Sequence, residues 1–449
     1  MTRPPLPLFR LFTSHLVPHR LSGPPRQKSL DRSLSYSTVV EPAKNNGCLK
    51  GIRVLDLSRI LAAPFCTQIL ADYGADVIKV EQPGTGDDTR HWKVHGEDQK
   101  WNKTEGPMSV YFTAVNRNKR SITLNLKKKE AKAVLFDLAK TSDVFIENFV
   151  PGKADELGIG YDSISKLNPR IVYASISGYG STGPYATRAG YDAIAAAEGG
   201  LMHISGEKTG KPVRPGVGMM DMTTGLYTHG AILAALRARD QTGRGQRIDA
   251  SLLESTLSIL INIGVNWLNL GLEGQRYGSA HPSIAPYDTY ETKNGYFAMG
   301  ANNDRQFKVL CERFGCTELL KDERFATNPS RVQNRETIDG IMNDFCKQRT
   351  MEELMQILKG SGLAHGPVNS IERAFEHPQA GPRQMVQSTS CDAFENGEIR
   401  MIGPPVKFSE NRSEIRARAP FLGEHTDEVL HEIGISDKRI EDLRAIEAI

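Results

Sequence analysis

The residues best suited to chemistry lie in positions 171–200, IVYASISGYGSTGPYATRAGYDAIAAAEGG. This stretch predicts a buried strand, a glycine-rich turn and a small-residue helix whose first polar side chain is Asp192. A carboxylate in a water-poor pocket can attack a thioester and form an anhydride, and nearby glycine amides can stabilise the oxyanion. We therefore expect Asp192 to be a nucleophile. The structural alternative is a helix N-cap, a position that aspartate fills well.

The glycines of this turn match G-x-G-x-x-G, the pattern of a dinucleotide-binding loop, at Gly178, Gly180 and Gly183. Pro184 follows immediately, and the motif comes late in the predicted sheet. No acidic strand end lies about 20 residues further on to bind a ribose. The pattern therefore disfavours a dinucleotide site. We expect instead that the glycines let the backbone approach a bulky group at the carboxyl edge of the sheet.

Isolated histidines and one lysine run are weaker candidates. None of His203, His229, His281 and His365 has the spacing of a metal site, so we expect structural histidines and no metal. The lysines at 127–129 are typical of a solvated helix start. At the carboxyl end of a strand, the same run would instead face nucleotide phosphates.

The composition is that of a globular enzyme with ordinary polarity. The 449 residues are enough for two domains, and 24% of them are charged. A formal net charge of +3 argues against nucleic acid or a membrane surface as partner. Six scattered cysteines without C-x-x-C spacing indicate reduced thiols. The most apolar run, LSILINIGVNWLNLGL from Leu257, contains three asparagines and is too short to span a membrane, so we predict a core helix.

The first forty residues have a composition of their own. They are rich in serine, proline and basic residues, and Asp31 is their single acid. This is typical of a mitochondrial transit peptide, which predicts a matrix protein cleaved near residues 32–38. A disordered tail is the alternative.

Alternating strand and helix patterns predict an α/β fold. Strands are expected at IRVLDLS, DVIKVE, SITLNL, DVFIENF and IVYASIS, with helices between them. Such βα repeats give an open, doubly wound parallel sheet. A smaller α+β domain should follow, with a hairpin turn at Lys293-Asn294-Gly295. The predicted divisions are a transit peptide (1–40), a large domain (49–245), a small domain (275–370) and a segment returning to the large domain (383–449).

From residue 49 to the C-terminus the chain resembles the class III CoA-transferases, a family that includes formyl-CoA transferase, carnitine CoA-transferases and α-methylacyl-CoA racemases. The resemblance is carried by GIRVLDLSRILAAPFCTQILADYGADVIKVEQPGTGDDTR, NRNKRSITLNL, DVFIENFVPG, ISGYGSTGPY, RAGYDA, TGRGQRIDASLLES, GPV and LGEHTDEVL. It implies a homodimer of interlocked, ring-like subunits. It also implies that coenzyme A is a substrate and that no cofactor is tightly bound.

The resemblance implies functional residues as well. Its nucleophilic aspartate, after Gly-Tyr or Gly-His, falls on Asp192. The family's CoA contacts match Leu61 and Ala62, then Leu124 to Lys127, then Asn148 and Phe149. Two positions of this chain depart from formyl-CoA transferase. Gln82 replaces an arginine that stacks at the adenine in that enzyme, and Ser177 replaces a lysine.

Within the family the chain is most similar to enzymes that move CoA from succinyl-CoA to glutarate through aspartyl anhydrides and an aspartyl-CoA thioester. Other acceptors, such as a hydroxy-dicarboxylate or carnitine, stay open, as does a non-catalytic CoA-binding role. The racemase alternative needs a histidine where this chain has Gly160-Tyr161, and Ala193 follows the motif aspartate in place of Ile-Asn-Tyr. A dicarboxylate needs a cation for its distal carboxylate, and the candidates are Arg90, Arg188, Arg214, Arg276 and Arg305.

Overall fold

A six-stranded parallel sheet lies at the centre of the computed structural model, which describes residues 38–39, 45–102 and 106–449. The strands are β1 (Thr38–Val39), β2 (Arg53–Asp56), β3 (Asp76–Glu81), β4 (Lys119–Thr123), β5 (Val144–Glu147), β6 (Val172–Ser177), β7 (Arg247–Ser251), β8 (Tyr287–Thr292), β9 (Gly295–Gly300), β10 (Ala364–Pro367), β11 (Val386–Ser390) and β12 (Glu398–Ile402). Apart from β1, the predicted transit peptide lies outside the described residues.

Some of the α-helices cover both faces of this sheet, and the others pack elsewhere in the chain. The helices are α1 (Ala62–Asp72), α2 (Val110–Thr113), α3 (Lys129–Lys140), α4 (Lys153–Glu156), α5 (Tyr161–Leu167), α6 (Asp192–Glu198), α7 (Met219–Thr242), α8 (Leu252–Ser258), α9 (Ile261–Leu270), α10 (Asp304–Phe314), α11 (Asn328–Gln333), α12 (Arg335–Lys347), α13 (Met351–Leu358), α14 (Ile371–Phe375), α15 (Thr426–Glu432) and α16 (Asp437–Ala445).

The large sheet has the strand order β4-β3-β2-β5-β6-β7, and every neighbouring pair is parallel. The chain builds outward from β2 to β4, then returns to place β5 on the other side of β2. Loops after β2 and β5 therefore leave in opposite directions and open a crevice at the carboxyl edge, where doubly wound folds bind ligands. The predicted α/β doubly wound sheet is confirmed.

Successive side chains along the buried strands point to opposite faces of the sheet, and an apolar layer lies on each face. Val54 belongs to the cluster that contacts α1 and α7, and Leu55 belongs to the opposite cluster, which contains residues of α3, α15 and α16. Helices α1 and α7 cross closely at Gly225, where a Cβ atom would lie only 2.6 Å from the carbonyl oxygen of Ala62. This close crossing brings the start of α7 to the crevice.

A three-stranded antiparallel sheet, β10-β9-β8, forms with α10, α12 and α13 a core of its own. The predicted hairpin is present, since β8 pairs with β9 and Thr292 lies opposite Gly295. A third sheet has the order β1-β11-β12. The predicted domain boundaries stay a prediction.

The apolar run at the end of the large domain differs from its prediction as one core helix. It forms two helices, α8 and α9, and Ile261 at their junction has a φ of 38°. No residue of α9 is buried, and Trp267 and Leu268 are 55% and 74% exposed. The apolar residues of α9 led to the prediction that this helix is buried, but no other segment of the described chain packs over it enough to bury any of its residues. Among the described residues, no helix combines the length and apolar character needed to cross a membrane.

Candidate active site

A cavity of about 440 Å³ lies at the crevice between β2 and β5. Its wall includes Leu61 and Ala62 at the start of α1, and Asn148 and Phe149 just after β5. The two loops are tied together, because the side-chain amide of Asn148 donates to the carbonyl of Arg59 at 2.8 Å and its oxygen accepts from the Arg59 amide at 3.0 Å. Two of the three predicted CoA-contacting segments thus meet at one cavity.

The third predicted segment lies elsewhere on the same sheet edge. Strand β4 ends at Thr123, earlier than predicted, because a turn at Asn125 accepts the amide of Lys128 at 2.8 Å. Leu124 is buried in the apolar core, and Lys127 is exposed. Neither residue lines the cavity between β2 and β5.

Asp192 is the first residue of α6, but its side chain does not cap that helix. Its Oδ1 atom accepts hydrogen bonds from the amides of Met220, at 2.7 Å, and Asp221, at 3.4 Å. These amides belong to the first turn of α7, which has no cap from its own preceding residue. Asp192 is therefore a cap for a neighbouring helix, and it satisfies amides that lack partners within α7.

Asp221 brings a second carboxyl group to the same place. It lies in the first turn of α7 and lines the cavity, whose described lining does not include Asp192. Burial raises the pKa of the Asp221 carboxyl to about 7, and the negative charge of Asp192 acts in the same direction. The sequence signal for Asp221 was weak, since an acid at the start of a helix is common.

Close packing at Gly218 aligns these groups with the start of α1. A Cβ atom at Gly218 would lie 2.6 Å from Cδ2 of Leu61, 3.5 Å from Oδ2 of Asp221 and 3.8 Å from Oδ1 of Asp192. The α1 end at the cavity has no side-chain cap, so its first amides point toward that region without a helical partner. Two carboxyl groups and two helix N-termini therefore converge beside Leu61.

The glycine-rich turn provides a wall for the cavity. A Cβ atom at Gly178 would lie 2.6 Å from Cα of Gly190, so the two backbone segments touch where any side chain would separate them. The Gly180 amide donates to Ser177 Oγ at 2.9 Å and is not a free oxyanion donor. We expected these glycines to let the backbone approach a bulky group. At Gly178 the close contact is instead between two segments of backbone.

The candidate arginines have different surroundings. Arg188 lines the cavity, pairs with Glu198 at 2.7 Å and lies over the rings of Tyr179 and Tyr185. Arg90 is fully buried and makes two 2.7 Å hydrogen bonds to the carboxylate of Glu81.

The other candidate arginines do not line this cavity, which contains one further arginine, Arg59, that the sequence analysis did not consider. Arg59 pairs with Asp88 at 2.9 Å. Tyr161, at the position where racemases have a histidine, lines a separate cavity of about 180 Å³. Across residues 45–102 and 106–449, no three His, Cys, Asp or Glu side chains are grouped to hold a metal.

The chain thus has an open, doubly wound parallel sheet, and Asp221 lies beside Asp192 at the crevice on the edge of that sheet. The family model described as CoA-transferase family III matches residues 49–426, and the chain belongs to that family of CoA-transferases. The predicted family and the prediction of an enzyme are confirmed.

Individual relatives match most of the chain in sequence. The chain is 54% identical to an acyl-CoA transferase of Fusarium pseudograminearum, over 89% of this chain and 87% of that protein. It is 44% identical to the succinyl-CoA:glutarate CoA-transferase of Mus musculus, over 86% of each chain. A crystal structure of a CAIB/BAIF family protein from Brucella suis matches with a TM-score of 0.77 and 40% identity, covering 86% of this chain and all of that one.

Proposed function

We propose that the chain transfers CoA from succinyl-CoA to glutarate, and that the transferred groups are carried on a carboxylate beside the cavity between β2 and β5. The similarity to a mouse enzyme named for this reaction supports the choice of substrates. The observation that carries the proposal is the Asp192–Asp221 pair beside the cavity between β2 and β5. Thioester exchange needs a carboxylate in a site that excludes water, because water would hydrolyse an anhydride.

Of the two carboxyl groups, we assign the attack to Asp221. It lines the cavity, and its raised pKa makes the ionised form a stronger base and nucleophile than an ordinary aspartate. One oxygen of Asp192 is already held by two backbone amides, which reduces its reactivity. This assignment differs from the sequence-based choice of Asp192, which we propose instead to fix the start of α7 and to keep the pKa of Asp221 near neutrality.

The reaction then follows from exchange of acyl bonds. The Asp221 carboxylate attacks the succinyl carbonyl and the C–S bond breaks. An aspartyl–succinyl anhydride forms, and CoA departs as the thiolate. The thiolate attacks the aspartyl carbonyl, which releases succinate and forms an aspartyl-CoA thioester. Glutarate attacks this thioester, giving a second anhydride and the thiolate. The thiolate finally attacks the glutaryl carbonyl and restores the Asp221 carboxylate. The amides at the start of α1, which lack a side-chain cap, supply positive potential for the oxyanions.

We further propose that Arg188 binds the distal carboxylate of the acids. It is the cavity arginine on the wall formed by residues 188–191, next to Asp192, and its pairing with exposed Glu198 can be exchanged for a substrate carboxylate. Arg188→Gln should raise the KM for glutarate on the order of tenfold and leave the KM for acetate unchanged. Arg305→Gln is the matched control, and an equal effect on both acids would exclude Arg188 from this role.

Trapping the adduct tests the central claim. The enzyme is incubated with succinyl-CoA without acceptor acid, quenched and digested with trypsin, which leaves Asp192 and Asp221 on the separate peptides 189–208 and 209–237. We expect the mass of CoA, or of hydroxamate after hydroxylamine, on peptide 209–237. A modified 189–208 would restore Asp192 as the nucleophile. No adduct on either peptide, together with solvent deuterium entering the α-carbon of a 2-methylacyl-CoA, would favour the racemase alternative.

Acceptor choice is a separate measurement. Glutarate should give a higher kcat/KM than malate, a hydroxy-dicarboxylate, and carnitine should not react, because it carries a cation where Arg188 is proposed to bind a carboxylate. A preference for malate or carnitine would keep the transferase mechanism and replace the acceptor.

We also propose a homodimer located in the mitochondrial matrix. The exposed apolar helix α9 supports a second subunit, because stable monomers rarely expose so large an apolar face. The basic, acid-poor composition of residues 1–40 supports import. Protease protection in isolated mitochondria and the N-terminal sequence of the mature protein test the location.

A further inference from the structure

Four charged side chains are completely buried beneath the turn that joins β2 to α1. They form two ion pairs, Lys79 with Asp87 at 2.9 Å and Lys119 with Asp56 at 3.1 Å, and no side chain of the four has any exposed surface. Removing such charges from water is costly unless hydrogen bonds satisfy them. Their other contacts therefore indicate what they hold in place.

Lys79 and Asp87 hold opposite ends of one short turn. Lys79 Nζ donates to the carbonyl oxygen of Ser58 at 2.7 Å. The two carboxylate oxygens of Asp87 accept from the amide of Ile60 at 3.1 and 3.2 Å. Because Lys79 and Asp87 also pair with each other, the turn from Ser58 to Ile60 is closed by a single buried ion pair.

The second pair secures the strand end and helix on either side. Asp56 accepts from the amide of Ser58 at 2.9 Å and from the hydroxyl of Thr67 at 2.6 Å, and Lys119 donates to the carbonyl of Pro64 at 3.0 Å. Burial acts to raise the pKa of Asp56, but the charges of Lys119 and Lys79 outweigh it and lower that pKa. The acid therefore stays ionised beside the two lysines.

The turn held in this way contains a strained residue. Ile60 has a φ of 72°, a left-handed conformation that a β-branched side chain rarely adopts. A residue in such a conformation costs on the order of 1–3 kcal/mol and persists only where surrounding contacts impose it. The Asp87 carboxylate, bound to the Ile60 amide itself, is the contact that imposes it here.

We propose that Lys79 and Asp87 are positioning residues that hold the turn in the conformation that places Leu61 and Ala62 on the cavity wall. Neither side chain lines the cavity, so both act through the turn. The inference rests on the proposed function, because it takes the cavity at Leu61 and Ala62 as the place where CoA binds. Loss of the pair should weaken CoA binding by releasing the left-handed turn.

The test measures the dissociation constant of CoA by titration calorimetry, with KM, kcat and the thermal midpoint for each variant. Asp87→Asn should weaken CoA binding on the order of tenfold or more and raise the KM for succinyl-CoA more than it lowers kcat. Adding Ile60→Gly to Asp87→Asn should recover most of the affinity, because glycine adopts a φ of 72° without strain.

Two further variants separate positioning from stability. Lys79→Gln combined with Asp87→Asn removes both buried charges, so the thermal midpoint should recover while CoA affinity stays low. Asp72→Asn breaks another buried ion pair, that with Arg117 at 2.6 Å, and should lower the midpoint without changing CoA affinity. Folded Asp87 variants that bind CoA like the wild type would overturn the inference alone. A wild-type enzyme that does not bind CoA would overturn the proposed function as well.

Discussion

Asp192 holds the backbone of Asp221: Oδ1 of Asp192 accepts the amide of Asp221 at 3.4 Å and that of Met220 at 2.7 Å. One acid of the pair is therefore fastened to the start of α7, while the carboxyl group of the other lines the cavity. Burial raises the pKa of Asp221, and the negative charge of Asp192 acts in the same direction. The two carboxyl groups therefore differ in their contacts, and replacing each of them tests the different roles that we propose.

Replacing each acid by its amide should have unequal effects. We expect Asp221→Asn to lower kcat at least about 1,000-fold with little change in the dissociation constant of CoA, because it removes the proposed nucleophile. Asp192→Asn should lower kcat only on the order of tenfold, since its amide oxygen can still accept from the start of α7. Steady-state kinetics and calorimetric CoA binding measure both, and the opposite order would return the nucleophilic role to Asp192.

Activity should depend on pH through Asp221. Its pKa of about 7 means that kcat/KM falls as the pH drops below neutrality, to about one tenth at pH 6 of its value at pH 8. In Asp192→Asn the neighbouring negative charge is absent, so the acid limb should move to lower pH. A pH–rate profile with the same acid limb in both enzymes would show that another group controls it.

The free energy of unfolding should change with pH in the direction opposite to that of activity. The pKa of Asp221 is about 7 in the folded chain, well above the ordinary value of 3.8, so the folded state holds this proton more tightly than the unfolded state does. Its contribution to the free energy of unfolding is full below about pH 4 and is lost as the pH rises to 7, by about 1.4 kcal/mol for each pH unit. Asp221→Asn should therefore gain stability over the wild type between pH 4 and 7, and the gain should level off above 7. Thermal midpoints across this range measure it, and a pH-independent difference would contradict it.

The contact between Gly178 and Gly190 predicts a sharp intolerance. A Cβ atom at Gly178 would lie 2.6 Å from Cα of Gly190, so Gly178→Ala must separate two segments of the cavity wall. We expect a loss of about 1–3 kcal/mol in unfolding free energy and a loss of activity beyond that explained by stability. Gly340→Ala, in α12 with no atom within 4 Å of the added Cβ, should instead stabilise the protein slightly. Full activity in Gly178→Ala would show that this wall does not shape the site.

The exposed face of α9 predicts self-association. The wild type should sediment as a dimer, and Leu268→Glu should shift it toward the monomer, because a charge then occupies a position that needs apolar cover. Ile402→Glu, a similar change at a half-exposed isoleucine at the end of β12, should leave the mass unchanged. Dimers of equal stability in both variants would place the subunit contact elsewhere.

The sequence predicted the parts of the fold that depend on local pattern. Strand β3 spans the predicted residues DVIKVE, because its run of apolar residues and its boundary residues coincide. The sequence erred where another segment decides the outcome. Strand β4 ends early at the Asn125 turn, and α9 is apolar yet exposed in the described chain.

The CoA contacts and the nucleophile stay predictions, but the structure shows which of the predicted residues lie together. Leu61 and Asn148 belong to recognisable motifs and lie on one cavity wall. Asp221 was not among the predicted residues, because only the fold brings it beside Asp192, 29 positions away in the chain. Lys79 was likewise inconspicuous, because a lysine within a strand ordinarily reaches solvent and its burial depends on Asp87 in a later loop.

The Gly178–Gly190 contact also limits how this enzyme can be altered. At Gly178 and Gly190 the wall is bare backbone, which offers a protein engineer no side chain to lengthen, shorten or recharge, and the contact between them leaves no space for one. New acceptor acids would therefore have to be accommodated by changing the side chains on either side of this contact, such as Arg188 and Arg59, which line the same cavity.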